Sequence, residues 1–179
     1  LVQTGLAPEI PGDAQIAAGL ARVRGLELAR FRAPADPWSA AREEGRAALE
    51  VQALCAQLDA LAEPLVVEGS GGIAVPLGER ATLGDLAARA GCTAVLVVGL
   101  RLGCINHALL SLAYLAARRV PLCGAVLCDR FGQSDARYPE QVRRALDAHV
   151  PILGTIAFEP DASRLVADAS PLFAALGKD

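Results

Sequence analysis

The usual markers of a known chemistry are scarce in these 179 residues. The five cysteines, Cys55, Cys92, Cys104, Cys123 and Cys128, form no C-x-x-C pair. That spacing excludes an ordinary zinc site and a disulfide framework, and it fits a reducing cytoplasm. The only two histidines, His107 and His149, stand apart, so no cysteine–histidine or serine–histidine constellation is legible. Basic residues are not in excess: the formal net charge is -3, which leaves no electrostatic footprint for nucleic acid or for an anionic membrane surface. The longest continuous apolar run, Ala94 to Leu100, falls far short of the roughly 20 residues that a bilayer-spanning helix needs. Repeats, low-complexity tracts and Ser/Gly linkers are also missing.

With 53% hydrophobic and 21% charged residues, the composition is that of a soluble chain that packs a core, and one domain over residues 1–179 is expected. Short runs of branched aliphatics predict strands at Pro64 to Glu68, Ala94 to Gly99 and Gly124 to Asp129, each buried on both faces. Between and beside them, helical spacing predicts helices over Ser39 to Ala62, Leu83 to Ala90 and Asn106 to Arg118. A further helix over Pro139 to Ala148 precedes a fourth strand at Val150 to Leu153, and Ala33 to Trp38 reads as an extended loop. The order β-α-β-α-β-α-β predicts an α/β fold with a parallel sheet and helices on both faces. Ligands in such sheets bind beyond the carboxyl ends of the strands.

The unusual residues collect at those ends. V-V-E-G-S-G-G, Val66 to Gly72, delivers one carboxylate, Glu68, into a glycine-rich turn. A carboxylate there can hold Mg²⁺ with its waters, while glycines let backbone N–H groups approach a phosphate; an exposed glutamate in a strand-ending turn is the plainer alternative. G-L-R-L-G-C-I-N-H, Gly99 to His107, joins a strand to the start of an apolar helix. The open amides of that helix start, Gly103 to Asn106, suit a carboxylate or phosphate, against simple capping by Asn106. Cys104 at the same helix start has no partner base in the pattern, so a nucleophile is rejected. Thr4-Gly5 and the later Asp13 read as a loop after a short strand, with Asp13 either a ligand or an N-cap ahead of Ala14 to Leu20.

Together, V-Q-T-G at Val2 to Gly5, E-G-S-G-G followed by Val75-Pro76-Leu77, and V-V-G-L-R-L-G-C-I-N-H resemble the dethiobiotin synthetases, in order and in spacing, over nearly the whole chain up to Gly154. The resemblance implies a P-loop NTPase-like parallel sheet flanked by helices, a homodimer, and ATP- and Mg²⁺-dependent closure of a cyclic urea from 7,8-diaminononanoate and CO₂. It places Asp13 and Glu68 at Mg²⁺ and the nucleotide phosphates, and Thr4 at the substrate. Gly69, Ser70 and Gly71 would line the nucleotide side, with Cys128, Asp129, Ala157, Phe158 and Glu159 in the segments that hold the base. Gly103, Cys104, Ile105 and Asn106 would cradle the distant carboxylate of the substrate, offered to the neighbouring subunit.

The same resemblance places the family's phosphate-binding loop, first strand and catalytic lysine ahead of Leu1, so no catalytic residue is assigned within the chain, and residues 1–179 alone are expected to be inactive. Cys128 stands where the family has an adenine-reading asparagine, Ala157 where a proline is usual, and Asp36 and Trp38 where serine and histidine are usual. These departures bear on nucleotide preference. The rival readings are a related P-loop amidoligase of the cobyrinate diamide synthase type and a nucleotide switch without ligase activity.

Overall fold

The computed structural model describes residues 2–61, 64–69, 71–130, 132, 135, 137–161 and 164. They fall into two compact units, residues 1–92 with 118–120, and residues 93–117 with 121–179.

In the first unit a two-residue strand β1, Val2–Gln3, pairs in parallel with β2, Ala29–Arg30. Between them lies helix α1, Asp13–Ala21. Backbone hydrogen bonds from Phe31 to Gln3 (2.9 Å), from Leu6 to Phe31 (3.3 Å) and from Gly5 to Ala33 (3.0 Å) extend the pairing into the loops beyond. Val2, Ala29 and Phe31 close a small core with Ala40 and Ala41 of α2, Pro37–Glu43. Leu54, Cys55 and Leu58 of α3, Val51–Asp59, build a second core with Leu77 and with Leu86 of α4, Leu83–Arg89. A capping box between Thr82 and Asp85 opens α4.

The single helix expected over Ser39 to Ala62 is two helices. Gly45 adopts φ +63, and the amides of Gly45 and Arg46 turn back onto the carbonyls of Arg42 (3.2 Å) and Ala41 (2.8 Å). This is the paired C-terminal closure that a left-handed glycine permits. The strand expected at Pro64 to Glu68 does not form either. Gly69 makes one isolated parallel bridge to Val2, and Val66 is 99% exposed. Apolar composition alone does not make a strand; its backbone groups need neighbours to bond.

The second unit is a three-stranded parallel sheet in the order β3-β4-β5, from Ala94–Gly99, Leu122–Cys128 and Ile152–Ile156. Helices α5, Cys104–Ala117, and α6, Tyr138–Leu146, supply Cys104, Ala108, Val142 and Leu146 to a core with Val98, Ala125 and Leu127. Burying an aliphatic chain as fully as Leu127 or Leu146 contributes about 1.5–3 kcal/mol. β4 is buried on both faces from Gly124 to Leu127, as expected. β3 is not: Val98 is buried, whereas Val95 and Val97, on the opposite face of the strand, are exposed. No helix among the described residues is long and apolar enough to cross a membrane.

Candidate functional site

In the first unit, β1 gathers the residues singled out at the start of the chain. Thr4 follows it directly and is half-buried. The Gln3 side chain, itself buried, accepts the Asp13 backbone N–H at 3.2 Å, and the Val2–Gly69 bridge lays the Glu68 segment alongside. The loop carrying Thr4 is zipped to the chain at Ala33, next to Asp36. Asp36 accepts the Ser39 N–H at 3.0 Å and so caps α2. Burial opposes ionisation of its carboxyl, but the hydrogen bonds from Ser39 prevail and hold it below the usual carboxylate range. A sequence reading that saw Asp36 only as a departure from a family pattern missed this cap, although D-P-W-S is a recognisable helix start.

Asp13 is the first residue of α1, not its cap; Gly12 precedes the helix, with its N–H bound by Gln15 at 2.7 Å. Asp13 and Glu68 are both exposed. Ser70 lies outside the described residues, and Gly71 is exposed in a turn. Among the described residues no three His, Cys, Asp or Glu side chains converge on a metal position. Two exposed carboxylates instead suit magnesium, which keeps several waters and takes one or two carboxylates together with substrate phosphates.

In the second unit two clusters form. At the start of α5, Gly103 adopts φ +90, a conformation that glycine reaches without Cβ strain. It turns the chain so that Cys104 begins the helix. The Gly103 carbonyl accepts the His107 N–H at 3.1 Å, and the Cys104 N–H closes a turn onto Arg101 at 3.0 Å. Asn106 is therefore inside the first turn and is not the cap. The first N–H groups of a helix have no acceptor within it, so those of Ile105 and Asn106 front this loop. Cys104 is buried, Ile105 half-buried and Asn106 exposed.

Tyr138 of α6 buttresses the loop from below. Its hydroxyl donates to the Arg101 carbonyl at 2.8 Å and lies 3.5 Å from the Cys104 sulfur. The thiol contact, with partial burial, pushes the phenol up from its ordinary value, so it remains a donor. The sequence reading passed over Tyr138; only its place at the start of a helix after a polar loop could have drawn notice.

The second cluster joins the ends of β4 and β5. Cys128 pairs with Ile156 in register, and the Asp129 N–H donates to the Ile156 carbonyl at 2.9 Å. The Asp129 carboxylate accepts the Gly132 N–H at 2.9 Å. Gly132 lies against the Phe158 ring, which a Cβ at that glycine would meet at 2.7 Å. Ala157 and Phe158 are exposed, and half-buried Glu159 accepts the Asp161 N–H at 2.9 Å. Burial, and Asp129 beside it, push the Cys128 thiol up, so it is no thiolate nucleophile. Residues thirty positions apart thus share one rim of the sheet.

Parallel strands that deliver glycine turns, carboxylates and a helix start to their carboxyl ends define an α/β fold of the P-loop NTPase-like class. A family model described as an AAA domain matches residues 13–165, and the chain belongs to that family. Within the curated proteins it is 41% identical over 131 residues to the ATP-dependent dethiobiotin synthetase BioD of Aromatoleum aromaticum, covering 70% of this chain and 57% of that protein. It is 42% identical over 125 residues to the BioD of Rhodopseudomonas palustris strain TIE-1, covering 69% and 58%. It is 38% identical over 159 residues to the biotin biosynthesis bifunctional protein BioCD of Bordetella avium, covering 87% of this chain and 32% of the relative. The chain spans less than two thirds of the length of these relatives.

Proposed function

We propose that the chain serves an ATP-dependent dethiobiotin synthetase, a ligase of biotin synthesis acting in the cytoplasm as a homodimer. The family match runs from residue 13 to residue 165 and so passes through both compact units, which supports their belonging to one ligase domain. The substrates are 7,8-diaminononanoate, CO₂ and ATP. One amine of the diamine captures CO₂ as a carbamate, a carbamate oxygen attacks the γ-phosphate of ATP, and the second amine displaces phosphate to close the cyclic urea. This chemistry depends on positioning and on neutralising charge more than on a protein nucleophile. That agrees with a chain in which Cys104 is buried and hydrogen-bonded to a tyrosine.

Bound Mg²⁺ would neutralise the phosphate oxygens, with Asp13 and Glu68 as its protein carboxylates. Thr4 touches the substrate, Gly69 and Gly71 line the phosphate side, and Cys128, Asp129, Ala157, Phe158 and Glu159 hold the base. The observation that carries the reading is the loop Arg101 to Asn106. A left-handed glycine, a helix start and a tyrosine strut shape this loop, and the open amides of the helix start suit a carboxylate held far from the reacting amines. The test is incorporation of labelled bicarbonate into dethiobiotin by the intact protein with diaminononanoate and ATP. Turnover of a corrinoid acid with glutamine, or nucleotide hydrolysis that ignores the diamine, would overturn the reading.

A further inference from the structure

The loop that carries Thr4 is held from behind by the end of α2. Ala33 stands between the two: its carbonyl accepts the Gly5 N–H at 3.0 Å, and its own N–H donates to Glu44 Oε1 at 3.1 Å. The same carboxylate oxygen accepts the Arg32 N–H at 2.5 Å. Two successive amides thus share one anionic acceptor, and such charge-assisted bonds are stronger than neutral ones. The other oxygen of Glu44 lies 3.6 Å from Arg46 Nη1. Arg46 Nη1 donates to the Arg30 carbonyl at 2.5 Å, and its guanidinium lies 4.3 Å from the centre of the Phe31 ring. Each residue from Arg30 to Ala33 is therefore bonded to, or stacked on, Glu44 or Arg46. On their other side, Phe31 and Ala33 carry the backbone bonds to Gln3, Gly5 and Leu6, the neighbours of Thr4.

Gly45 makes this grip possible. At φ +63 it ends α2 and turns the chain, and a Cβ there would meet nothing within 4 Å. The position therefore needs glycine for its backbone angle alone. Glu44 and Arg46 flank that turn, so the stop signal of the helix also carries the two side chains that reach back. The Glu44 side chain is 23% exposed. The Ala33 amide foremost, with the Arg32 amide and Arg46, holds its carboxyl below the usual carboxylate range, so it is an acceptor only at neutral pH. A partly exposed ion pair at 3.6 Å adds little to global stability. What the pair does have is a single target, the irregular segment between β2 and α2 to which the Thr4 loop is bonded.

We propose that Glu44, with Arg46, is a positioning residue for the substrate, setting the place of Thr4 through the backbone of residues 30–33. The proposal rests on the reading that Thr4 touches the diamine, and it adds the groups that act behind Thr4 without touching substrate. The test compares Glu44→Ala, Glu44→Gln and Leu58→Ala in the intact protein. Glu44→Ala should raise KM for diaminononanoate about 10-fold, the low end for losing hydrogen bonds to a charged group. Its kcat and its KM for ATP should stay within about twofold of the wild type, the pattern of lost ground-state binding at one subsite. Glu44→Gln keeps an acceptor oxygen at the same reach and should recover most of that loss. Leu58→Ala opens the core between α3 and α4 in the same unit; it should lower the melting temperature more than Glu44→Ala does and leave the diamine KM alone. Amide hydrogen exchange adds a readout that needs no activity: the Gly5 and Leu6 amides should exchange faster in Glu44→Ala than in the wild type.

An active enzyme whose diamine KM ignores Glu44→Ala overturns the positioning role. So does one in which Leu58→Ala raises that KM as much. A wild type that forms no dethiobiotin, while Gly5 exchange quickens in Glu44→Ala, sinks the functional reading and leaves the clamp standing. Unchanged Gly5 exchange sinks the clamp itself.

Discussion

Arg30 reaches the carbonyls of Ala7 (3.0 Å), Pro8 (3.2 Å) and Ile10 (2.7 Å), and Glu27 grips its other edge at 2.6 and 2.7 Å. This pair fixes the loop between Thr4 and Asp13, so a structural ion pair sets where two candidate ligands stand. Hydrogen bonding from Arg30 holds the Glu27 carboxyl below its ordinary value of 4.5. A carboxylate depressed in the folded state stabilises the fold above its unfolded value, and that stability is lost as pH falls through the lower folded value. Thermal midpoints measured from pH 7 downward should therefore fall below about pH 4.5 in the wild type, and Glu27→Gln should flatten that part of the profile.

Tyr138→Phe keeps the ring and removes one donor from the Arg101 carbonyl. A hydrogen bond of about 0.5–1.5 kcal/mol predicts a rise of roughly 2- to 10-fold in KM for the diamine, with kcat nearly unchanged. An equal fall in both kcat and kcat/KM would contradict a ground-state anchoring role. On the proposed role of Cys128 at the base, Cys128→Asn supplies an amide that can read a base edge. Adenine nucleotide should then bind more tightly by a similar factor relative to guanine nucleotide, as competition titrations can measure.

At the scale of elements, the sequence was most legible where neighbours confirm what composition suggests. The run Ala94 to Gly99 forms a strand over those same residues because β4 pairs along it. The equally apolar run at Pro64 to Glu68 has one bridge at its end and remains unpaired. Glycine marks the difference between the two helices α2 and α3 and the one expected from alanine and leucine spacing; E-E-G-R carried the stop signal, outweighed by the periodicity around it. Close packing also makes some glycines irreplaceable. A Cβ at Gly124 in β4 would meet Leu153 at 2.6 Å and the Pro151 carbonyl at 2.8 Å. The side chain can turn aside, but the carbonyl belongs to the paired neighbour. Gly124→Ala should destabilise the second unit by about 1–3 kcal/mol, read as a lower denaturation midpoint, whereas Gly91→Ala tests only backbone strain, since nothing lies near that position.

For the molecule as a whole, residues 1–179 contain a single lysine, Lys178, and no G-x-x-x-x-G-K-[ST] pattern. Phosphoryl transfer in P-loop enzymes relies on such a lysine to neutralise the β- and γ-phosphates. These residues by themselves should therefore form no dethiobiotin above background with labelled bicarbonate, and measurable product would show that arginines replace that lysine. Sequence by itself determined the alternation of strand and helix in the second unit and the three motifs, because continuous aliphatic runs, glycine turns and helical spacing are local properties of a chain. Only tertiary structure decided that Tyr138 props the Gly103 loop and that β1 gathers Asp13 and Glu68. Those depend on which distant backbone groups find partners and which side chains find room, and no local window of residues contains that information.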